Sequence, residues 1–481
     1  MYDLGIFYQA VKSYSEFKPG ISVAKGLHNF GVANFSVLGD HWSPIDAVLA
    51  PLIWIHDDPR DLLVAQAVLF ALAIPWIWAF TRTAAGGGRK GTIAAYCASL
   101  AYGMSWPIAG AVGFDFHEVA FAPLLTAITL ERLQKGRWRT ALIAMAGLLL
   151  VKEDMGFFVA GIGLGLIVTR QLRMPRQRLA GLVLVVVGIV YTVVAIYVLI
   201  PAMGGRANYY WAYQALGPNA PSALKHIVSD PMYAAGQLIT PRVKLHTELE
   251  LLAPFLFLSL LSPCTLPVIP LLLERMLGSK FPAWWIDGVQ YNAYLIVPIV
   301  LGAVDGAVKL DKWAARGWRA ATGPGTRGRG LADRAAGIIG PACAVAFLLI
   351  AIALVPAFGF KQLFTSSFYH RDATATAEQA AASVVPSGVT VEVCSNIGPF
   401  LLNRDTVEIW DGYGDTPKFA PWIIASDSQG QFTWYTVKDQ VARIAFLRAH
   451  GYVTVFQRDG FIVLHAPNVA YSGPVRTGNS A

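Results

Sequence analysis

The chain carries four clusters of ionisable residues, each set against apolar sequence. They are Asp3 in Tyr2-Asp3-Leu4-Gly5-Ile6-Phe7, Asp40-His41 in Gly39-Asp40-His41-Trp42-Ser43-Pro44, Asp115-Phe116-His117-Glu118, and Lys152-Glu153-Asp154. A charge at membrane depth costs about 2.5–3.5 kcal/mol on insertion scales, so such groups pair or face water. A carboxylate could serve as general base for a hydroxyl, the lysine could hold a phosphate, and the acids could bind a sugar or a metal.

A blander reading stands beside each cluster. Lys152-Glu153-Asp154 reads equally as a solvated loop, although its apolar flanks leave almost no loop length. Asp115, His117 and Glu118 read equally as an interfacial turn, and a zincin protease is excluded because Phe121 stands where the second histidine is needed. Ser43-Pro44 reads as the cap of a helix over 44–55, which leaves Asp40 and His41 unexplained. A lone Asp3 near a terminus reads as surface. Arg206 adds a cation beside Tyr209-Tyr210-Trp211, a run read as an interfacial belt in preference to a sugar-stacking platform.

The elements that must position these groups are apolar. Of 481 residues 55% are hydrophobic and 14% charged, against about 25% charged in a soluble domain. That excludes a single soluble domain and a disordered chain. The expected fold class is an α-helical polytopic membrane protein with a small C-terminal α/β domain. Residues 1–60 form an outer N-terminal segment, 61–357 the transmembrane bundle and 358–481 an extracytoplasmic α/β domain. A span needs about 20 apolar residues. Stretches 61–81, 91–112, 179–202 and 335–357 meet that, and 288–308 nearly does. Shorter runs at 118–130, 140–151, 155–169, 248–262 and 265–277 bring the count to about ten spans or half-spans.

With that count the basic loops Arg82–Lys90, Arg132–Arg139, Arg170–Arg178 and Lys309–Arg334 fall on one side, which the positive-inside rule makes cytoplasmic. Topology thus accounts for the net charge of +8 without nucleic acid. The four polar clusters and the tail fall outside. Because an outer N-terminus with no signal peptide would still have to be translocated, the natural reading frame is expected to start upstream of Met1 and to contribute one more span. In the tail, Val453–Gln457 and Phe461–His465 flank Asp459-Gly460 as a hairpin, and Lys438–His450 has helical spacing.

Taken in order, Tyr2-Asp3-Leu4-Gly5-Ile6-Phe7-x-Gln9, Gly39-Asp40-His41-x-Ser43-Pro44, Phe114-Asp115-Phe116-His117-Glu118 and Leu150-Val151-Lys152-Glu153-Asp154 resemble the bacterial membrane family called domain of unknown function 2079. Val385-Pro386-Ser387-Gly388, Asn403-Arg404 and Gly451-Tyr452-Val453 resemble its end. The sequence departs from that family at Tyr8, where an acid is usual, and at Asn292, where a histidine is expected beside Tyr291. The family is grouped with GT-C glycosyltransferases. That grouping implies a lipid-phosphate sugar donor and raises Asp3 to the leading catalytic carboxylate, a warrant from analogy.

The expectation is an inverting glycosyltransferase using a polyprenyl-phosphate sugar and a cell-envelope glycan or lipid acceptor, in contact with membrane lipids. Asp3 or Asp40 would be the base. Substrate would be bound by His41, Lys152, Arg206, Asp115, His117, Glu118, Glu153 and Asp154. Of these, Asp115, His117, Glu118, Glu153 and Asp154 could instead hold a divalent metal. A transporter or flippase using the same charges as a pathway is the rival, and a scaffold is the third reading. A reporter fused after Ala481 is expected to be active only outside the cytoplasm, and one inserted in Thr322–Gly330 only inside. A cytoplasmic C-terminus would overturn the side assignment.

Overall fold

Four helices among the described residues are long and apolar enough to cross a bilayer: Arg60–Ala84, Gln177–Ala202, Gln290–Ala321 and Ile339–Ala357. The computed structural model describes residues 2–169, 176–321, 337–394, 396–410, 420–429 and 436–467. The Thr322–Gly330 linker and part of the Arg170–Arg178 loop lie outside these. Gln290–Ala321 is the central post, with 78% of its apolar window buried against at most 33% in the other three.

Two span readings change. The 91–112 stretch is two helices, Gly88–Gly103 and Trp106–Phe114. The chain turns at Ser105, whose N–H donates to the Tyr102 carbonyl at 3.1 Å, and Pro107 has no N–H with which to continue the first helix. The basic segment from Lys309 begins as helix, because nothing before Gly323-Pro324 stops Gln290–Ala321. Trp138–Leu149 and Met155–Val168 are apolar but short. The 248–262 run divides into the end of a helix at Leu252 and 3-10 turns around Pro254, with Leu256 and Phe257 at positive φ.

The N-terminal segment is not solvated chain. Tyr2–Ser15 is a helix whose Leu4, Phe7, Tyr8 and Val11 are buried in the main core. That core continues into the C-terminal sheet, formed by β1 (Thr390–Val393), β2 (Thr406–Ile409), β3 (Trp422–Ser426), β4 (Val453–Arg458) and β5 (Phe461–His465). The order is β2-β1-β3-β5-β4, parallel at β1–β2 and β1–β3 and antiparallel beyond. Strand alternation divides the side chains. Val393, Val407, Ile424 and Val463 face the bundle core, while Ile423, Ala425 and Leu464 form a second core with Ile444 and Leu447. Those last two lie on the Val437–Ala449 helix, which starts with a Thr436/Asp439 capping box. At the hairpin Asp459 and Gly460 both have positive φ, 46° and 83°, as a type I′ turn requires.

The sheet is fastened to the first helix by Gln9. Its Nε2 donates to the Val407 carbonyl at 2.9 Å, and its Oε1 accepts from Ser22 Oγ at 2.9 Å and the Ala24 N–H at 3.0 Å. Lys12 adds a bond to the Asn403 carbonyl at 2.9 Å and an ion pair with Asp57 at 2.8 Å. Tyr8, the departure from the family pattern, donates to the same Asp57, so an acid reaches that spot from another segment. Gln9→Leu keeps size but strands three partners, at a cost of about 1–3 kcal/mol for each buried group left unpaired. Thermal unfolding in detergent should show a lowered Tm; an unchanged Tm would mean that the sheet is held by its apolar face alone.

Candidate functional site

Backbone contacts bring the polar clusters to one end of the bundle. Gly39 lies so close to the 203–205 turn that a Cβ would sit 2.6 Å from the Met203 carbonyl oxygen. The loop after it is pinned to the Lys152 loop: the Ile45 N–H donates to the Leu150 carbonyl at 3.1 Å, and the Trp42 N–H to Glu153 Oε2 at 3.0 Å. Ser43 does not cap the following helix; its hydroxyl reaches the His41 carbonyl at 3.4 Å. Gln66, on the long Arg60–Ala84 helix, fixes the third cluster. Its amide donates to the Ala111 and Asp115 carbonyls at 3.0 Å each and accepts the His117 N–H at 3.1 Å. Arg275 holds the 284–292 segment through the Trp284 and Tyr291 carbonyls at 2.6 Å each and Asn292 Oδ1 at 3.0 Å.

Together they enclose a cavity of about 220 Å³, lined by Asp3, Lys25, Asp40, His41, His117, Glu118, Lys152, Tyr210 and Tyr291 among others. Helices Phe121–Gln134, Met155–Val168 and Gln290–Ala321 all begin at or just after residues of this end. They run from it toward the basic loops.

The charged side chains are paired basic to acidic. His117 Nε2 lies 3.4 Å from Asp3 Oδ2 and Lys152 Nζ 3.3 Å from Glu118 Oε1. His41 Nδ1 is 2.7 Å from Glu153 Oε1, and Lys25 Nζ 2.8 Å from Asp40 Oδ2. The pairs form a ring. Each sequence doublet (Asp40-His41, His117-Glu118, Lys152-Glu153) gives one member to each of two neighbouring pairs. Gln9 closes the circle by tying the Ser22–Ala24 turn, just before Lys25, to the helix that carries Asp3.

The two candidate bases are not equivalent. Asp40 has both oxygens engaged, one by Lys25 and the other by Tyr210 OH at 2.7 Å, and its side chain is 10% exposed. Asp3 makes the longest of the four pairs and is 27% exposed. Of the two, Asp3 is the more exposed. Among basic groups, Lys25 and Lys152 line the cavity, while Arg206 is exposed and does not. Sequence reasoning missed Lys25; the only signal was a single lysine inside the mostly apolar stretch 20–27.

The remaining named residues lie around the cavity rather than in it. Glu153 stands behind His41. Asp115 is buried and gives its carbonyl to Gln66. Asp154 is half-buried, and its buried Oδ1 has no hydrogen-bond partner among the described residues. Among the described residues no three His, Cys, Asp or Glu side chains are grouped to hold a metal ion. Asp115, His117, Glu118, Glu153 and Asp154 therefore do not fit one as they stand. The aromatic belt also reads differently. Tyr210 stacks on His41 with centroids 4.9 Å apart, and Tyr209 OH accepts from Asn29 at 2.9 Å. Their hydroxyls serve interior partners.

Electrostatics follow from the pairs. Burial alone would push the Asp3 carboxyl up, but the His117 hydrogen bond and charge, with Lys25 nearby, hold it below the usual range. Burial alone would lower the His117 pKa, and Asp3 more than reverses that. Burial and Lys152 oppose protonation of His41, but Glu153 and Asp40 win and raise it. Glu153 is held low against burial, chiefly by the His41 charge. Burial pushes Asp154 up.

The sign for stability is then fixed. The histidines contribute fully below the ordinary value of 6.5 and lose that contribution as pH rises through their raised folded values. The depressed carboxyls lose theirs only as pH falls through their own lowered values. Thermal stability should therefore drop as pH rises above the ordinary histidine value of 6.5, with a smaller drop in Glu153→Gln. An equal drop in that variant would remove the His41–Glu153 pair as its source.

No curated protein matches this sequence. Among solved structures, the crystal structure of ArnT from Cupriavidus metallidurans bound to undecaprenyl phosphate aligns at 13% identity and a TM-score of 0.48, covering 97% of this chain and 94% of that one. The family described as predicted membrane protein (DUF2079) matches residues 1–463. With all four ordered motifs at one cavity, the chain belongs to the DUF2079 family of predicted membrane proteins.

Proposed function

We propose that the chain is a glycosyltransferase that takes a sugar from a polyprenyl-phosphate carrier and passes it to a cell-envelope glycan or lipid acceptor outside the cytoplasm. The observation that carries this reading is the asymmetry of the ring: two lysines and two histidines face a cavity in which one carboxylate, Asp3, is left accessible. The basic loops at the other end of the bundle support the side.

In this reading the donor phosphate sits against Lys152 and Lys25, and the lipid tail lies along the apolar helices. The acceptor hydroxyl attacks the anomeric carbon, and Asp3 takes its proton as the new C–O bond forms. The C–O bond to phosphate breaks, and its electron pair leaves with the phosphate. A single displacement inverts the anomeric centre. Asp3, held ionised by His117, is a weak base. Much of the acceleration must then come from positioning and from the cations that meet the charge developing on phosphate.

Radiolabelled polyprenyl-phosphate sugar and purified protein in detergent test this. Asp3→Asn should lower kcat by about 10²–10⁴-fold with donor Kd almost unchanged. Lys152→Ala and Lys25→Ala should weaken donor binding. Asp40→Asn should do so too, by releasing Lys25. Near-normal turnover in Asp3→Asn, with collapse of kcat at unchanged Kd in Asp40→Asn, would move the base to Asp40. Near-normal turnover in both would refute a carboxylate base here.

A further inference from the structure

The bundle holds a second cavity, of about 380 Å³, at the opposite end of the helices that frame the first. Phe121–Gln134, Met155–Val168 and Gln290–Ala321 start near the Asp3 cavity and reach this one with Leu133, Leu166 and Lys309. Met155–Val168 has 14 residues, so the two cavities are about 20 Å apart along the axis. It is a separate place, beside the basic loops.

Its lining is divided. Leu130, Leu133, Ile162 and Leu166 make an apolar wall. Asp305, Lys309 and Lys312 line the other side on successive turns of the central helix. Asp305 is neutralised there, by Lys309 Nζ at 2.7 Å and by the Ser262 hydroxyl at 2.6 Å. Lys312 is exposed, and no ion pair engages it among the described residues. Gln134 donates its amide to the Phe80 carbonyl at 3.1 Å, which leaves its buried Oε1 without a partner among the described residues.

An apolar wall, an open ammonium and an unused acceptor match one kind of molecule: an amphiphile with a hydrocarbon chain, an anionic group and a hydrogen-bond donor near it. We infer that this cavity is a binding site for an anionic glycerophospholipid of the leaflet that faces the basic loops. Its phosphate would lie at Lys312, a headgroup or glycerol hydroxyl at Gln134, and the start of one acyl chain along Ile162 and Leu166. Basic pockets between spanning helices on the cytoplasmic side suit such headgroups. The volume is near the lower bound for ligand pockets, enough for a headgroup and part of a chain.

Native mass spectrometry of the full chain, released from nanodiscs of mixed phosphatidylglycerol and phosphatidylcholine, reads the site directly. Wild type should retain one phosphatidylglycerol in preference to phosphatidylcholine. Lys312→Glu, at an exposed position with no ion pair among the described residues, should weaken that retention about tenfold. Val168→Trp, at the half-open lip, should block it by filling the entrance. Equal retention in wild type and both variants would overturn the site. Soluble glycerol phosphate should not compete at millimolar concentration; full competition would make it a free-phosphate site and overturn the lipid assignment. Sugar transfer plays no part in the readout, so the outcome stands apart from that of the proposed enzyme.

Discussion

Charges carried into an apolar bundle must be paired, and here the pairing organises the structure. No two partners of the four pairs are close in sequence. Asp3 meets His117, Glu118 meets Lys152, Glu153 meets His41, and Asp40 meets Lys25. Because the doublets are adjacent in sequence, satisfying one pair brings the next within reach. The ring therefore fixes five segments at once, while Gln66, Arg275 and Gln9 hold the backbone that presents them. Leaving out one member leaves a buried charge unpaired, which costs more than the pair contributes.

The same ring separates scaffold from chemistry. Glu153 and Asp40 are held by their partners and by added hydrogen bonds, so they set the positions of His41 and Lys25. Among the described residues the one ion pair of Asp3 is the long contact to His117, and Asp3 faces the cavity. The C-terminal sheet matters because it packs on the helix that carries Asp3, so a domain distant in sequence helps to place the site. That is a bracing role.

Much of this was legible in the residues. The doublets stood out because charge in apolar sequence is costly, and the tail's strands and Asp-Gly turn followed from alternation and turn chemistry. What sequence could not supply was which doublet faces which, since that depends on helix direction and packing. Lys25 was invisible for this reason, and Arg206, its apparent substitute, is on the surface. Tyr210 looked like belt because its composition is that of a belt, and only its partners assign it to the interior. The break at Ser105 could have been read from Pro107, but hydropathy outweighed it.

The ring's continuity is the central claim, and a double-mutant cycle tests it most directly. Asp40 and Glu153 belong to neighbouring links, paired with Lys25 and His41, and both charges act on His41, so the Asp40-His41 doublet couples them. Measured on reversible unfolding, Asp40→Asn and Glu153→Gln should be non-additive, with an interaction of about 0.5–3 kcal/mol. Additivity within about 0.3 kcal/mol would mean that the pairs are independent, and that the ring is four separate contacts rather than one structure.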